Sequence, residues 1–163
     1  MKDLLESGAK IDHIAIAVKD LDEALVLYEN VFGFELLRQR EIKGEYSGMK
    51  SAELRAGAFS IVLVQGTDPG SQVTRFIENY GPGVQHVAIE VSDVEKHREK
   101  LAATGVKFAT DIIEGENLVQ LFTRRDDNSG VMFEFIERRA NKNGFEADNI
   151  QQLFEQLERS DSY

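Results

Sequence analysis

Gly81-Pro82-Gly83-Val84-Gln85-His86-Val87-Ala88-Ile89-Glu90-Val91 decides the fold, because the start of the chain repeats it as Ile11-Asp12-His13-Ile14-Ala15-Ile16-Ala17-Val18. In each copy a histidine opens a run of alternating small and β-branched residues, and an aspartate follows seven positions later, at Asp20 and Asp93. Each copy then turns helical and reaches a glycine, Gly33 or Gly105, after a similar interval. Self-similarity at long period marks a duplicated unit. The reading is of two copies folded around a shared cavity, with one histidine from each copy facing inward.

The alternation gives strands their faces. His13, Ala15 and Ala17 fall on one side, and Ile14, Ile16 and Val18 on the other. The small residues leave space beside the histidine, while the greasy side can hold a helix. That helix is expected at once, with Asp20 as its N-cap, an apolar stripe of Ala24, Leu25, Tyr28, Val31 and Phe32, and Gly33 at its end. Strands are expected over 34–40, 50–56 and 59–65, with Gly57 and Ala58 as a tight turn, so the first unit reads β-α-β-β-β. A connection over 67–83 carries a short helical pattern at 73–77.

The second unit repeats the order: a strand over 86–91, a helix over 94–104, and strands near 106–109, 118–123 and 131–137, with a polar hairpin loop at 124–130. A polar bridge at 141–143 leads to a last helix over 149–159, capped by Asp148, whose stripe is Ile150, Leu153, Phe154 and Leu157. The end from Ser160 is expected to fray.

Composition excludes several classes of function. Hydrophobic residues make up 42% and charged residues 29% of 163, as in a compact globular protein. A net charge of −10 disfavours nucleic acid, whose binding rests on Lys and Arg neutralising phosphates. The absence of cysteine removes disulfides, thiolate metal sites and cysteine nucleophiles. Residues 1–8 lack the apolar core of a signal peptide and no run approaches membrane-spanning length, so the expectation is no membrane and a cytoplasmic location. Exposed sheet edges suggest a homodimer.

Of three histidines, two occupy the same position in the repeat. Glu134 sits amid Val131-Met132-Phe133-Glu134-Phe135-Ile136, where a carboxylate is costly to bury unless paired or bound to a metal. His13, His86 and Glu134 therefore form a candidate metal set of two imidazoles and one carboxylate. Such a set suits Fe(II), and also Zn, Mn, Co or Ni. The first unit has Val62 where the second has Glu134, so it offers no fourth ligand, and Gln65 has the wrong parity to replace it. His97, in Glu95-Lys96-His97-Arg98, reads as an exposed helix residue. Glu53 reads equally as a cavity acid/base or an exposed edge residue. Arg124 and Arg125 read as a solvated turn. No glycine-rich phosphate loop follows a strand.

Paired β-α-β-β-β units, each opening His-x-Ala-Ile-x-Val over about 11–138, resemble the vicinal oxygen chelate superfamily, which includes glyoxalases, methylmalonyl-CoA epimerases and extradiol dioxygenases. That resemblance implies an α+β fold in which two βαβββ modules, about 11–66 and 84–139, form one domain over 1–139. Their curved mixed sheet makes a cup with helices outside. The stretches 81–88, 118–123, 133–139 and 144–158 further resemble the 4-hydroxyphenylpyruvate dioxygenase family. By this likeness His13, His86 and Glu134 match iron ligands, and Gln120 matches a substrate-pocket glutamine. Phe122 and Phe145 match aromatic residues near the substrate, and 140–163 becomes a gate helix and tail over the cavity. Ile150 stands where that family carries a phenylalanine that sandwiches an aromatic ring, so the substrate need not be aromatic. The family has four modules, and these two match its catalytic half.

Three functions follow from the likeness. The first is an Fe(II) oxygenase acting on a 2-oxo acid or similar chelating substrate, with Gln120 orienting it. The second is a redox-neutral epimerase or glyoxalase-like isomerase with Glu53 as base. The third is a ligand-binding protein without metal, against which the retained histidines and Glu134 argue.

Overall fold

The computed structural model describes residues 4–139 and 145–160. The polar bridge expected at 141–143 and the end at 161–163 lie outside the described residues. Eight strands form one curved half-barrel sheet: β1 (Lys10–Ala17), β2 (Glu35–Lys43), β3 (Gly48–Ala56), β4 (Phe59–Gly66), β5 (Gly83–Glu90), β6 (Ile113–Glu114), β7 (Leu118–Phe122) and β8 (Met132–Arg138). Their order is β2-β3-β4-β1-β5-β8-β7-β6, so each unit supplies half the sheet and the halves meet along β1 and β5. In each unit the first strand runs parallel to the last, Ala15 opposite Val62 and Ala88 opposite Glu134. The register thus equates Val62 with Glu134.

The antiparallel seam sets His13 opposite Ala88 and Ala15 opposite His86. Each imidazole therefore stands beside the small residue of the other unit, and both alanines are fully buried. On the other side Ile14, Ile16 and Val18 pack against Leu21, Leu25 and Leu63. The second unit does the same with Val91, Val94, Val119, Leu121 and Phe135.

Helix starts also repeat. In α1 (Leu21–Leu25), Asp20 accepts from the Glu23 N–H and Gln65 Oε1 from the Leu21 N–H. In α3 (Val94–Ala102), Asp93 accepts from the Lys96 N–H and Glu137 Oε2 from the Val94 N–H. A cap of this kind contributes about 1 kcal/mol. Gln65 and Glu137 are equivalent residues, each three past Val62 or Glu134, so both units tie their helix to their last strand. The connection holds α2 (Gln72–Tyr80), capped by Ser71.

Several elements differ from expectation. α1 continues as a π-helical turn over Val26–Val31, which closes with Phe32 N–H to Leu27 O and ends at Gly33 with φ +74. The wider turn rotates the stripe, leaving Val31 67% and Phe32 55% exposed. The strand expected near 106–109 is a single bridge, Phe108 to Thr123, and the edge strand forms later and shorter as β6. His97 is buried, its ring 4.3 Å from that of Phe135. It shares the inner face of α3 with Val94 and Leu101, at i+3 and i+7, whatever its charged neighbours in sequence. Arg125 is no solvated turn: its guanidinium lies 4.5 Å over Phe76 and donates to the carbonyls of Gln85 and Gly130. Arg124 is exposed.

The last helix, α4 (Ala147–Arg159), begins before the expected Asp148 cap. Glu146 stands at the cap position and makes no cap hydrogen bond; its carboxylate accepts instead from the N–H groups of Glu116 and Asn117. Phe154 and Leu157 are buried, while Ile150 and Leu153 line the cavity. The helix lies over the mouth of the cup. Gln151 donates to Lys43 O on the β2 side, and Gln156 accepts from the Asp111 N–H on the β6 side. Among the described residues, no helix is long and apolar enough to cross a membrane.

Candidate metal centre

Both histidines project from the seam into the cup, and Glu134 joins them from β8. His13 Nε2 lies 3.2 Å from His86 Nε2 and 3.0 Å from Glu134 Oε2, and His86 Nε2 lies 3.4 Å from the same oxygen. The three donor atoms lie within 4.8 Å of one another. Glu134 is fully buried and His13 nearly so.

Two β-bulges aim the imidazoles. In the seam, Ile11 and His13 face the consecutive residues Ile89 and Ala88, so Asp12 is the extra residue; likewise Ile16 and Ala15 face Val84 and His86, so Gln85 is extra. A bulge re-aims its side chain. Here each one turns the residue before a histidine toward that histidine's ring. His13 Nδ1 donates to Asp12 Oδ1 over 2.8 Å, and His86 Nδ1 donates to Gln85 Oε1. With both Nδ1 atoms engaged, both Nε2 atoms are left facing the shared point, the arrangement that orients histidine ligands in metal sites. Asp12 is itself fixed by Arg138, whose Nε donates to Oδ2 at 2.6 Å and a terminal nitrogen to Oδ1 at 2.9 Å.

The donor set fits a divalent cation. Glu134 Oε2 is buried and faces the two Nε2 atoms at 3.0 and 3.4 Å, with no other partner among the described residues. Two neutral imidazoles would bring two lone pairs together at 3.2 Å, so one proton must be held between these atoms unless a cation replaces it. A single ion meets all three needs. Phe145 and Phe122 set their edges or faces nearly perpendicular to the two rings, at 4.8 Å from His13 and 5.3 Å from His86.

The electrostatics follow from burial and contact. Burial pushes the His13 imidazole down, but Glu134 and Asp12 outweigh it and hold its pKa up at about 9. Burial raises Glu134, yet the two histidines bring it down to about 2. Burial dominates at His86 and lowers it. Without metal the site is thus an ion pair of protonated His13 and ionised Glu134, with His86 neutral. Its stabilising effect is complete below the ordinary histidine value of 6.5 and is lost as pH rises through about 9. The metal-free protein should therefore show a falling urea midpoint across that window. Metal must displace the His13 proton, so its affinity should climb by up to about tenfold per pH unit until about pH 9. A flat urea midpoint together with pH-independent metal affinity would contradict this account.

Gln120 is buried between two polar groups. Its Nε2 donates to Glu134 Oε1 at 2.7 Å, and its Oε1 accepts from Asn149 Nδ2 at 3.1 Å. Glu53 faces the cavity rather than the outer edge, only 6% exposed and paired across the ladder with Val62. It makes no hydrogen bond or ion pair with the described residues. The cavity wall is completed by Arg40, Ile150 and Leu153. Sequence reading missed Asp12, Gln85 and Asn149. The signal for the first two was a polar residue before each histidine; for Asn149 it was the helical spacing to Leu153 and Leu157.

A family model described as "Glyoxalase/Bleomycin resistance protein/Dioxygenase superfamily" matches residues 10–135. A 4-hydroxyphenylpyruvate dioxygenase of Legionella pneumophila is 30% identical over 187 residues, covering 91% of this chain and 53% of that protein. The chain spans about half the length of the curated relatives it matches. Among solved structures, a mutant of 4-hydroxymandelate synthase from Streptomyces coelicolor superposes with a TM-score of 0.85 at 24% identity, covering 94% of this chain and 55% of that one. The methylmalonyl-CoA epimerase of Mycobacterium tuberculosis superposes with a TM-score of 0.66 at 30% identity, covering 78% and 87%.

Proposed function

The chain belongs to the glyoxalase/bleomycin resistance protein/dioxygenase superfamily, and from that membership we propose that it is a metal-dependent oxygenase, Fe(II) being the favoured ion, acting on a 2-oxo acid or a similar chelating small molecule. One observation carries this reading: Val62 occupies the place equivalent to Glu134. The protein would then supply three donors, His13, His86 and Glu134, and leave other positions on a bound ion open for ligands. Two imidazoles and one carboxylate with open positions are the donor set of non-haem Fe(II) oxygenases. A bound Fe(II) would supply Lewis acidity and one-electron chemistry at those positions.

The chain's own residues do the rest. Asp12 and Gln85 keep Nε2 of each ring turned to the ion, and Gln120 holds Glu134 by its free-facing Oε1. Phe122 and Phe145 wall the site with apolar surface and exclude water. Ile150 and Leu153 extend that wall with aliphatic surface. This favours a substrate whose side chain is small or aliphatic, since no ring stacks from position 150. Arg40 places a cation in the wall, suited to the carboxylate of such an acid.

Glu53 favours a second reading. A buried carboxylate with no fixed partner, facing the cavity, could move a proton in a redox-neutral epimerase or isomerase. Its support includes the likeness to the mycobacterial epimerase. Oxygen uptake separates the two. Protein loaded with Fe(II) without oxygen should consume oxygen when given one member of a panel of 2-oxo acids. Solvent deuterium entering a methylmalonyl thioester with no oxygen consumed would overturn the oxygenase reading and establish the second.

A further inference from the structure

Asn149 is fully buried on α4, and its amide reaches out of the helix to the sheet. Its Nδ2 donates to Leu118 O and to Gln120 Oε1, each at 3.1 Å, and Gln120 passes the contact on to Glu134 Oε1. We propose that Asn149 is a positioning residue that couples the docking of α4 to metal binding at Glu134, so that the helix covering the cavity and the ion stabilise one another. The inference rests on the metal-centre reading above.

The orientation of the relay is forced. Glu134 Oε1 needs a donor, which turns the Gln120 Nε2 toward it and leaves Gln120 Oε1 pointing at α4. Asn149 must then present Nδ2. Were Gln120 rotated, its oxygen would face a carboxylate in a site without solvent. Asn149 therefore fixes an amide that would otherwise be free to turn away, and a buried charge left short of a donor is costly. The turn after β6 completes the seat. A Cβ on Gly115 would come within 2.2 Å of Asn149 Oδ1, so glycine at that position lets the amide fit.

The cavity gives the coupling a purpose. Its volume is about 60 Å³, and Phe145, Ile150 and Leu153 line it beside the three donors. Those residues lie on or just before α4, so a substrate large enough to displace them would pull on the Asn149–Gln120 contact. Thermodynamic reciprocity then requires that whatever α4 does to metal affinity, metal does to α4.

The test uses Co(II), a redox-stable probe, and the whole chain. Calorimetric affinity for Co(II) should fall about 10–100-fold in Asn149→Leu, the range for losing an outer hydrogen-bond partner of a ligand. Gly115→Ala, which leaves the relay residues in place but crowds the amide, should fall in the same direction. Gln152→Ala, an exposed change on the same helix, should match the wild type. In the wild type, Co(II) should slow amide hydrogen exchange across 147–159, and at saturating Co(II) Asn149→Leu should lose that protection. If Asn149→Leu does not fold, Gly115→Ala and the wild-type exchange carry the test. Wild-type protein that binds Co(II) without protecting α4, or a folded Asn149→Leu within twofold of wild-type affinity, overturns the coupling alone. Wild-type protein that binds no Co(II) overturns the coupling together with the metal reading.

Discussion

Glu134→Ala is expected to reduce bound Fe(II) or Co(II) from one ion per chain to less than about a tenth, measured by metal analysis after anaerobic loading and desalting. The expected loss of affinity exceeds the 10–100-fold typical of outer partners, because the substitution removes a donor atom itself. Glu134 is also the one anionic member of the triad, so its loss leaves two neutral imidazoles to neutralise a dication. The equivalent position in the first unit, Val62, offers no donor, and Gln120, now lacking its acceptor, offers an amide already bonded to Asn149. His13 also loses the partner that does most to hold its pKa up, so the pH dependence of stability between 6.5 and about 9 should flatten in the same variant. Metal content unchanged by this substitution would place the ion elsewhere.

Arg138→Leu is expected to cost about 3–5 kcal/mol of stability, the range for stripping one partner from a buried ion pair. Asp12 has a side chain only 8% exposed and takes two hydrogen bonds from Arg138. Its carboxyl is held well below its usual range, against the cost of burial, by His13 and Arg138. Alone, it would have to stay charged in a poorly solvated place or take up a proton and release His13. For a chain of this length the cost corresponds to a melting temperature lower by roughly 6–20 °C. Adding Asp12→Asn to Arg138→Leu should recover part of it, because the uncompensated charge is gone. Equal melting temperatures for wild type and Arg138→Leu would show that the pair does not hold the seam.

The duplication was legible because strand alternation and helix caps are local signals. The spacing of His13, Ala15 and Ala17 set one face of a strand, and Asp20 and Asp93 marked two helix starts, all of which the register and the caps bear out. The equivalence of Val62 and Glu134 follows from aligning 62–65 with 134–137 in the repeat, and the register bears it out. What parity cannot reveal is an extra residue. The bulges at Asp12 and Gln85 interrupt the alternation without changing residue type, so the groups that aim the two imidazoles were invisible until the strands were paired. The π-helical turn after Leu25 is the same problem in a helix, and it moved Val31 and Phe32 to the surface. His97 differs for another reason: its charged neighbours in sequence suggest exposure, whereas its burial is set by helical spacing to Val94 and Leu101. Asn149 carried no expectation beyond its place at the start of the last helix, and its spacing to Leu153 and Leu157 puts it on the inner face. Arg125 needed Phe76 and Tyr80, which only the tertiary fold brings over it.

X-ray absorption at the iron edge of protein loaded with Fe(II) under anaerobic conditions tests the central claim most directly. Two imidazole nitrogens and one carboxylate oxygen from the protein are expected, with water oxygens as the remaining ligands. In Glu134→Ala the signal of protein-bound iron should vanish. Iron held without imidazole, or by four protein donors that leave no room for both a chelating substrate and dioxygen, would contradict it.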